Sequence, residues 1–383
     1  MKIFHTADWH LGKIVQGLHM TEDQRYALEQ FTEDVKKEKP DAVVIAGDLY
    51  DRAVPPTEAI HLLNDVLEQL VIDLNTPVLI VAGNHDSPGR LNFGSKIMEA
   101  RGLHIVGEFD PHRPPVILED EYGEVHFHLI PFCDPSVVRA AFDDEEIRTH
   151  DDAMRKITEH IHEIKNPKAR HVFVGHAFVT PDGKESPNTS DSEVTISVGG
   201  AEHVSNDYFT QFTYTALGHL HKAHKVAYEN IRYSGSLLKY SISEENHEKG
   251  YYVVELTDEE VNVTKRQLTP RRDMYTVSGS LEEILQGEKK DDYVFVELTD
   301  KAPVLSPMEK IRAVYPNAMH VKRKYLPEID GEVLEERKAR KKMTDIELFE
   351  AFYKEVVGYE AEEEIVDLFK EAIDEQLKAE RKL

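Results

Sequence analysis

The chain has 383 residues, 40% of them hydrophobic and 31% charged, which is the composition of a globular protein with about two to three domains. Its apolar runs are far shorter than the roughly 20 residues that span a bilayer, and its first residues lack a secretion signal. The one cysteine, Cys133, excludes an intrachain disulfide and a cysteine-rich zinc site, so we expect a cytoplasmic protein.

The formal net charge of −26 argues against a protein that holds DNA unaided. DNA-binding surfaces are basic because phosphate contacts supply most of the affinity. This chain offers only short basic runs, at 321–325 and 337–342. Either the substrate is not a long nucleic acid, or a partner and bound cations supply the attraction.

Strand-like apolar segments that stop at metal-ligating side chains recur along the first 221 residues. In chain order these segments end at Asp8 and His10, at Asp48 and Asp51, at Asn84, His85 and Asp86, at His176, and at His219 and His221. Helical periodicity at 21–39 and 57–74 separates the first three. Alternating strands and helices predict a sheet covered on both faces, with its site beyond the carboxyl ends of the strands. We therefore expect these side chains to form one site.

The second half of the chain changes in character. Period-two stretches at 250–256 and 261–268 predict strands that finish the first domain, 1–268, as a second sheet. Residues 269–327 predict a small α+β module. A charged linker at 328–343 precedes two amphipathic helices at 344–383. These helices either pack on their own protein or dock a partner, and their charged tether favours a partner.

Oxygen and imidazole donors without a thiolate suit manganese, iron or zinc. The candidate ligands are Asp8, His10, Asp48, Asn84, His176, His219 and His221. Seven ligands exceed the needs of one ion, so we predict two ions that share Asp48. Two such ions would clamp a bridging hydroxide for in-line attack at phosphorus. His85 is left to assist the leaving oxygen. Asp51 would orient His85, although a turn or capping role fits Asp51 and Asp86 equally well.

The motifs DWH, GDLYD, GNHD, GHA and GHLH resemble the calcineurin-like metallophosphoesterase superfamily. The longer strings HTADWHLGK, GDLYDRAVPP, GNHDSPGRL, ALGHLHKAHKV and YSGSLLKYS are similar to one branch, the SbcD nuclease subunits. The resemblance implies a four-layer αββα sandwich with an α+β module that caps the site for DNA and a helix-turn-helix tail.

The resemblance also implies a manganese-dependent DNA nuclease of repair, recombination and replication, associated with the nucleoid. Its activities would be 3'-5' exonuclease on double strands and endonuclease on single strands and hairpins. One ion would be held by Asp8, His10, Asp48 and His221, and the other by Asp48, Asn84, His176 and His219, with His85 catalytic. Relatives commonly carry histidine in place of Asp51, which weakens a catalytic role for Asp51.

The expected partner is an SbcC-type coiled-coil ATPase, bound by the C-terminal helices within a heterotetramer. Its nuclease subunits would form a homodimer through 57–74 and 88–101. Two alternatives remain. A phosphomonoesterase or protein phosphatase would share GDLYDR, but it has no need of the extra module and tail. A scaffold without metals should have lost at least one ligand, and none of the seven positions departs from the motif.

Overall fold

The computed structural model describes residues 1–181, 190–191, 203–300, 302–324, 346, 349–350, 353–354, 361 and 365–370. The chain forms two compact units, Met1–Lys322 and Arg323–Leu383. The predicted linker at 328–343 and most of the predicted tail at 344–383 lie outside the described residues, so the domain boundaries stay predictions. In the second unit, the rings of Phe349 and Phe369 stack with centroids 4.0 Å apart.

Strands and helices are interspersed along the first unit. The strands are β1 Lys2–Thr6, β2 Ile14–Val15, β3 Leu18–His19, β4 Ala42–Ala46, β5 Val78–Val81, β6 Leu103–Val106, β7 Val116–Asp120, β8 Gly123–Ile130, β9 Arg170–His176, β10 Phe178–Thr180, β11 His203–Ser205, β12 Tyr214–Gly218, β13 His224–Lys225, β14 Ile231–Tyr233, β15 Gly250–Leu256, β16 Val261–Gln267, β17 Met274–Gly279, β18 Tyr293–Leu298 and β19 Ala318–Arg323. The helices are α1 Thr21–Glu38, α2 Thr57–Glu68, α3 Pro88–Asn92, α4 Ser95–Glu99, α5 Pro135–Phe142, α6 His150–Ile164, α7 Leu281–Leu285 and α8 Pro307–Ile311.

Two six-stranded sheets pack face to face, in the orders β16-β15-β1-β4-β5-β6 and β13-β14-β12-β9-β8-β7. Side chains on alternate positions point to opposite faces, so Val44 of β4 and Val174 of β9 meet in the core between the sheets. Val43 of β4 packs outward in a cluster with α1 and α2, and Phe173 of β9 packs outward in a cluster with α6. The predicted four-layer αββα sandwich is confirmed.

The predicted helix at 21–39 is α1, and the one at 57–74 is α2 continued by a π-helical turn, Gln69–Asp73. The assignment of 250–256 and 261–268 to a second sheet was wrong. β15 pairs antiparallel with β1, and β16 pairs with β15, so both complete the first sheet. β1 uses one edge for β4, and β15 satisfies the backbone groups of its other edge. The alternation seen in the sequence of β16 arises because β16 is an edge strand.

The small module contains the sheet β17-β18-β19 with α7 and α8, in the element order that the sequence predicts. Its own core includes Val294, Val296 and Ile311. Asp23 of α1 ties it to the sandwich, accepting hydrogen bonds from the hydroxyl of Tyr293 at 2.7 Å and from Nη1 of Arg272 at 3.0 Å. Across the residues that the structure describes, no helix has the length and apolarity to cross a membrane.

Candidate metal centre

The site lies at the ends of five strands. These are β1, β4 and β5 of the first sheet and β9 and β12 of the second. The structure brings all seven predicted ligands and His85 together there. Three groups offer ligand atoms within 4.8 Å of one another: Asp8, His10 and His221; Asp8, Asp48 and His176; and His10, Asp51 and His85. The expectation of one site built from separate strand ends therefore agrees with the geometry.

Asp48 lies at the middle of this arrangement. Its Oδ2 is 3.6 Å from Nε2 of His10 on one side and 3.4 Å from Nε2 of His176 on the other. Its Oδ1 accepts a hydrogen bond from the backbone N–H of His85 at 2.9 Å. Burial alone raises the pKa of Asp48, but the rings of His176, His10 and His85 hold it well below its usual range. A carboxylate that stays ionised between two groups of imidazoles has the position required of a shared ligand.

Asn84 joins the histidines of the second sheet. Its Oδ1 is 2.9 Å from Nε2 of His176 and 3.3 Å from Nδ1 of His219. Nδ1 of His176 donates to the carbonyl of Ala46 at 2.9 Å. Burial lowers the pKa of His176, but the carboxylates of Asp48 and Asp8 outweigh that effect and raise it to about 9. The carboxylates of Asp48 and Asp8 therefore act directly on the His176 ring.

The donor set fits divalent metal ions. Within the described part of the chain, Oδ2 of Asp8 and Nδ1 of His10 are buried without a hydrogen-bond partner. A buried polar atom without a partner costs about 1–3 kcal/mol, and a bound cation would satisfy Oδ2 of Asp8. Carboxylate, amide and imidazole donors without thiolate suit manganese, iron and zinc. The residues present therefore match the divalent metal binding that the fold family implies.

Backbone strain accompanies the site. Asp8, His10, Asp48 and His219 have φ angles of 53°, 45°, 51° and 111°, in the left-handed region that L-residues avoid. Strain of this kind collects at functional sites, where the surrounding structure enforces it. Here the enforcing structure is the buried ends of the strands.

Glycines before the ligands make room for them. A Cβ on Gly47 would lie 2.7 Å from Cγ of His176, and one on Gly83 would lie 2.7 Å from Cγ of Asp48. A Cβ on Gly218 would lie 2.9 Å from Cβ of Ala7, on the neighbouring sheet. Real Cβ contacts are not this short. The glycines before Asp48, Asn84 and His219 therefore allow close packing of the ligands and of the two sheets.

His85 is held through a backbone group. Its Nδ1 is 2.8 Å from the carbonyl oxygen of Asp51, whereas the carboxylate of Asp51 pairs with Nζ of Lys13 at 2.8 Å. The ring of His85 packs edge-on against that of His10, with centroids 4.7 Å apart. Asp51 thus orients His85 as expected, but with its carbonyl and not with its carboxylate.

Asp86 has the contacts of a turn residue. Its carboxylate accepts hydrogen bonds from the backbone N–H groups of Leu49 at 3.1 Å, Tyr50 at 3.0 Å and Gly83 at 2.9 Å. These contacts join the loop after β4 to the loop after β5. Of the two roles left open by the sequence, the geometry favours the structural one.

Sequence reasoning missed the residues that support the ligands. Nε2 of Gln24 donates to the carbonyls of Trp9 at 3.0 Å and His10 at 2.8 Å. Oε1 of Glu244 lies 3.2 Å from Nδ1 of His221. Burial raises the pKa of Glu244, but the ammonium of Lys249 and the ring of His221 hold it well below its usual range. Glu244 stands in a charged run that looks solvent-exposed in the sequence, so no local pattern signals its burial.

Comparison with known proteins gives the class that this fold and site define. The family described as calcineurin-like phosphoesterase matches residues 1–223, and the chain belongs to that family. A C-terminal family, described as the type 5 capsule protein repressor C-terminal domain, matches residues 270–357. A solved dimetal phosphatase from Danio rerio has a TM-score of 0.39 and 11% identity, covering 70% of this chain and 97% of that one.

Curated relatives narrow the class. A protein named as the SbcD component of nuclease SbcCD, from Staphylococcus epidermidis, is 38% identical over 324 residues, which cover 83% of this chain and 84% of the relative. A protein of the same name from Staphylococcus saprophyticus is 34% identical over 362 residues, covering 94% of each chain. Within the phosphoesterases, the chain therefore belongs to the family of SbcD nuclease subunits.

Proposed function

We propose that this protein is the nuclease subunit of an SbcCD-type complex and hydrolyses DNA phosphodiesters with divalent metal ions. The observation that supports this proposal best is the set of oxygen and nitrogen donors at five strand ends, buried except for the partly exposed Asn84, with His85 beside it. The set occurs in a chain whose relatives are named as nuclease components.

Two ions, with manganese as the preferred metal, would be shared through Asp48. One would be held with Asp8, His10 and His221, and the other with Asn84, His176 and His219. When bound, they supply Lewis-acid stabilisation of phosphoryl charge and activation of a water nucleophile. The carboxylates of Asp8 and Asp48 would offset only part of the charge of two divalent ions, so the loaded site would attract a phosphate in an otherwise acidic protein.

His85 is the catalytic residue of this proposal. Nδ1–H of His85 donates a hydrogen bond to the carbonyl of Asp51, which leaves Nε2 for the substrate. In its protonated form the ring donates from Nε2 to the departing sugar oxygen, or stabilises the charge that develops there. The backbone N–H of His85 is fixed on Asp48, so the metal ligand and the proton donor keep a constant separation.

The substrate and partners follow from the family and from charge. With a net charge of −26, the protein needs basic surface from a partner, and an SbcC-type ATPase bound by the C-terminal helices would supply it. We assign 3'-5' exonuclease activity on duplex ends and endonuclease activity on single strands and hairpins, in the cytoplasm at the nucleoid. The module at 269–327 would cap the site over DNA.

We also propose a homodimer within a heterotetramer, formed through segments 57–74 and 88–101. Large apolar side chains on these segments face solvent in the described chain. Phe93 is 85% exposed and Ile97 is 79% exposed. An exposed apolar patch on a soluble domain is typical of a protein–protein interface.

The decisive experiment measures cleavage of linear duplex DNA and of a small phosphomonoester with manganese, with and without an SbcC-type partner. We expect wild-type protein to cut DNA, and His85→Ala to lose about 10²–10⁴-fold in rate while keeping its metal content. His112→Ala, which changes an exposed histidine outside the site, is the matched control. Ester turnover without DNA cleavage, even with the partner, would refute the nuclease and leave a phosphatase.

A further inference from the structure

The support of His221 differs from that of the other histidines in the site. Its Nε2 faces the ligand cluster, 3.0 Å from Nε2 of His10. Its Nδ1 faces away, 3.2 Å from Oε1 of Glu244. Glu244 is not itself a predicted ligand. Among the described residues, His221 is thus the predicted histidine ligand with a ring nitrogen hydrogen-bonded to a carboxylate outside the ligand set. Nδ1 of His176, by contrast, meets a neutral backbone carbonyl.

Glu244 and Lys249 form a buried pair around His221. The side chain of Glu244 is 0% exposed and that of Lys249 is 6% exposed. Oε2 of Glu244 accepts a hydrogen bond from Nζ of Lys249, and the same Nζ donates to the carbonyl of His221 at 2.8 Å and to Oγ of Ser236 at 2.8 Å. The pair therefore holds His221 at two points, its ring and its backbone.

The hydrogen bonds specify one tautomer. An ionised Glu244 only accepts, so Nδ1 of His221 carries the proton and Nε2 is bare. Nε2 of His221 then keeps a lone pair toward the ligand cluster, where Nε2 of His10 lies 3.0 Å away. The contact with Glu244 thus holds the ring of His221 with its Nε2 lone pair directed at the site.

We infer that Glu244, held by Lys249, is a positioning residue for His221 and selectively strengthens the metal position that His221 shares with Asp8 and His10. This inference rests on the proposed function. A carboxylate on the distal nitrogen fixes the orientation of an imidazole and raises its basicity as a ligand, and removing such a partner typically costs 10–100-fold in metal affinity or activity. The position served by His176 has no such support from Glu244.

The test is manganese titration of the full-length protein by calorimetry and by electron paramagnetic resonance, on wild type and Glu244→Gln. The amide keeps the size of the side chain but loses its charge and places N–H donors toward Lys249. We expect one of two manganese dissociation constants to rise 10–100-fold and the other to stay unchanged. Unchanged constants, or equal weakening of both, would overturn the inference.

Glu245→Gln is the matched control, because Glu245 is the next residue and accepts from the backbone N–H of Thr276 at 2.9 Å, not from His221. We expect it to bind manganese like wild type, and weakening equal to that of Glu244→Gln would count against the inference. Wild-type protein that binds no manganese and cuts no DNA would instead refute the proposed function.

A measurement on metal-free wild-type protein keeps the inference testable if Glu244→Gln does not fold. Nitrogen-15 NMR of histidine-labelled protein, with the His221 signals assigned by their loss in His221→Gln, reports which ring nitrogen carries the proton. We expect the proton on Nδ1 of His221. A proton on Nε2 alone would show that Glu244 does not hold the ring.

Discussion

Gly47→Ala should damage the metal site more than it damages the fold. Gly47 precedes Asp48 with φ at +92°, and a Cβ there would lie 2.7 Å from Cγ of His176. The change therefore has two separable costs. One is the left-handed backbone, which a residue with a Cβ adopts at a cost of about 1–2 kcal/mol. The other is displacement of the His176 ring.

The second cost follows from the contacts of that ring. A displaced His176 loses its hydrogen bonds to the carbonyl of Ala46 at 2.9 Å and to Oδ1 of Asn84 at 2.9 Å. Each is worth about 1 kcal/mol net, so the total loss of stability is about 3–4 kcal/mol. Because His176 and Asn84 share one proposed metal position, that ion should be lost as well.

Gly17→Ala isolates the backbone cost. Gly17 has φ at +81°, and no described atom lies within 4 Å of the place where a Cβ would stand. Guanidinium unfolding of both metal-free variants gives the stability difference, and manganese calorimetry gives the number of bound ions. We expect Gly17→Ala to lose about 1–2 kcal/mol with both ions retained. If Gly47→Ala matches Gly17→Ala in both measurements, the steric explanation of the glycine is refuted.

Two further predictions concern buried groups outside the ligand set. Asp86→Ala leaves three backbone N–H groups without their acceptor, so we expect a loss of about 3–9 kcal/mol in guanidinium unfolding; a loss below about 1 kcal/mol would contradict the turn role. Burial, with help from His171, His126 and Lys165, lowers the pKa of His128 to about 3, below the roughly 6.5 of an unfolded chain. The unfolded state then binds more protons, and stability falls as pH drops from about 6.5 toward 3, by up to about 1.4 kcal/mol per unit. His128→Leu should flatten this loss, and an unchanged pH profile would contradict the assignment.

The sequence is sufficient to predict which of these side chains gather at one place because they stand directly at strand ends. Each ligand follows an apolar segment directly, as His176 does in β9. Parallel strands bring such ends to one edge whatever the order of strands in the sheet. The periodicity of α1 and α2 was also reliable, because each buries one face on the first sheet.

The assignment of strands to sheets was not predictable in the same way. β15 is buried on nearly its whole length, and either sheet would accept such a strand. Its pairing with β1 depends on which strand edge is left without a partner once the other elements have packed. That is a property of the assembled fold and not of the local sequence. The burial of Glu244 was not predictable for the same reason, because Lys249 and His221 contact it only in the folded structure.

The strain of the site explains why it is built on core strands. Four residues with positive φ, at about 1–2 kcal/mol each, represent about 4–8 kcal/mol, which is comparable with the roughly 5–15 kcal/mol net stability of a whole protein. A flexible loop would relax that strain by moving the ligands apart. Strands β1 and β4 cannot do so, because relaxation would expose side chains such as Phe4 and Ile45, which are 0% exposed. The hydrophobic core between and outside the sheets therefore keeps Asp8 and Asp48 in place before any ion binds.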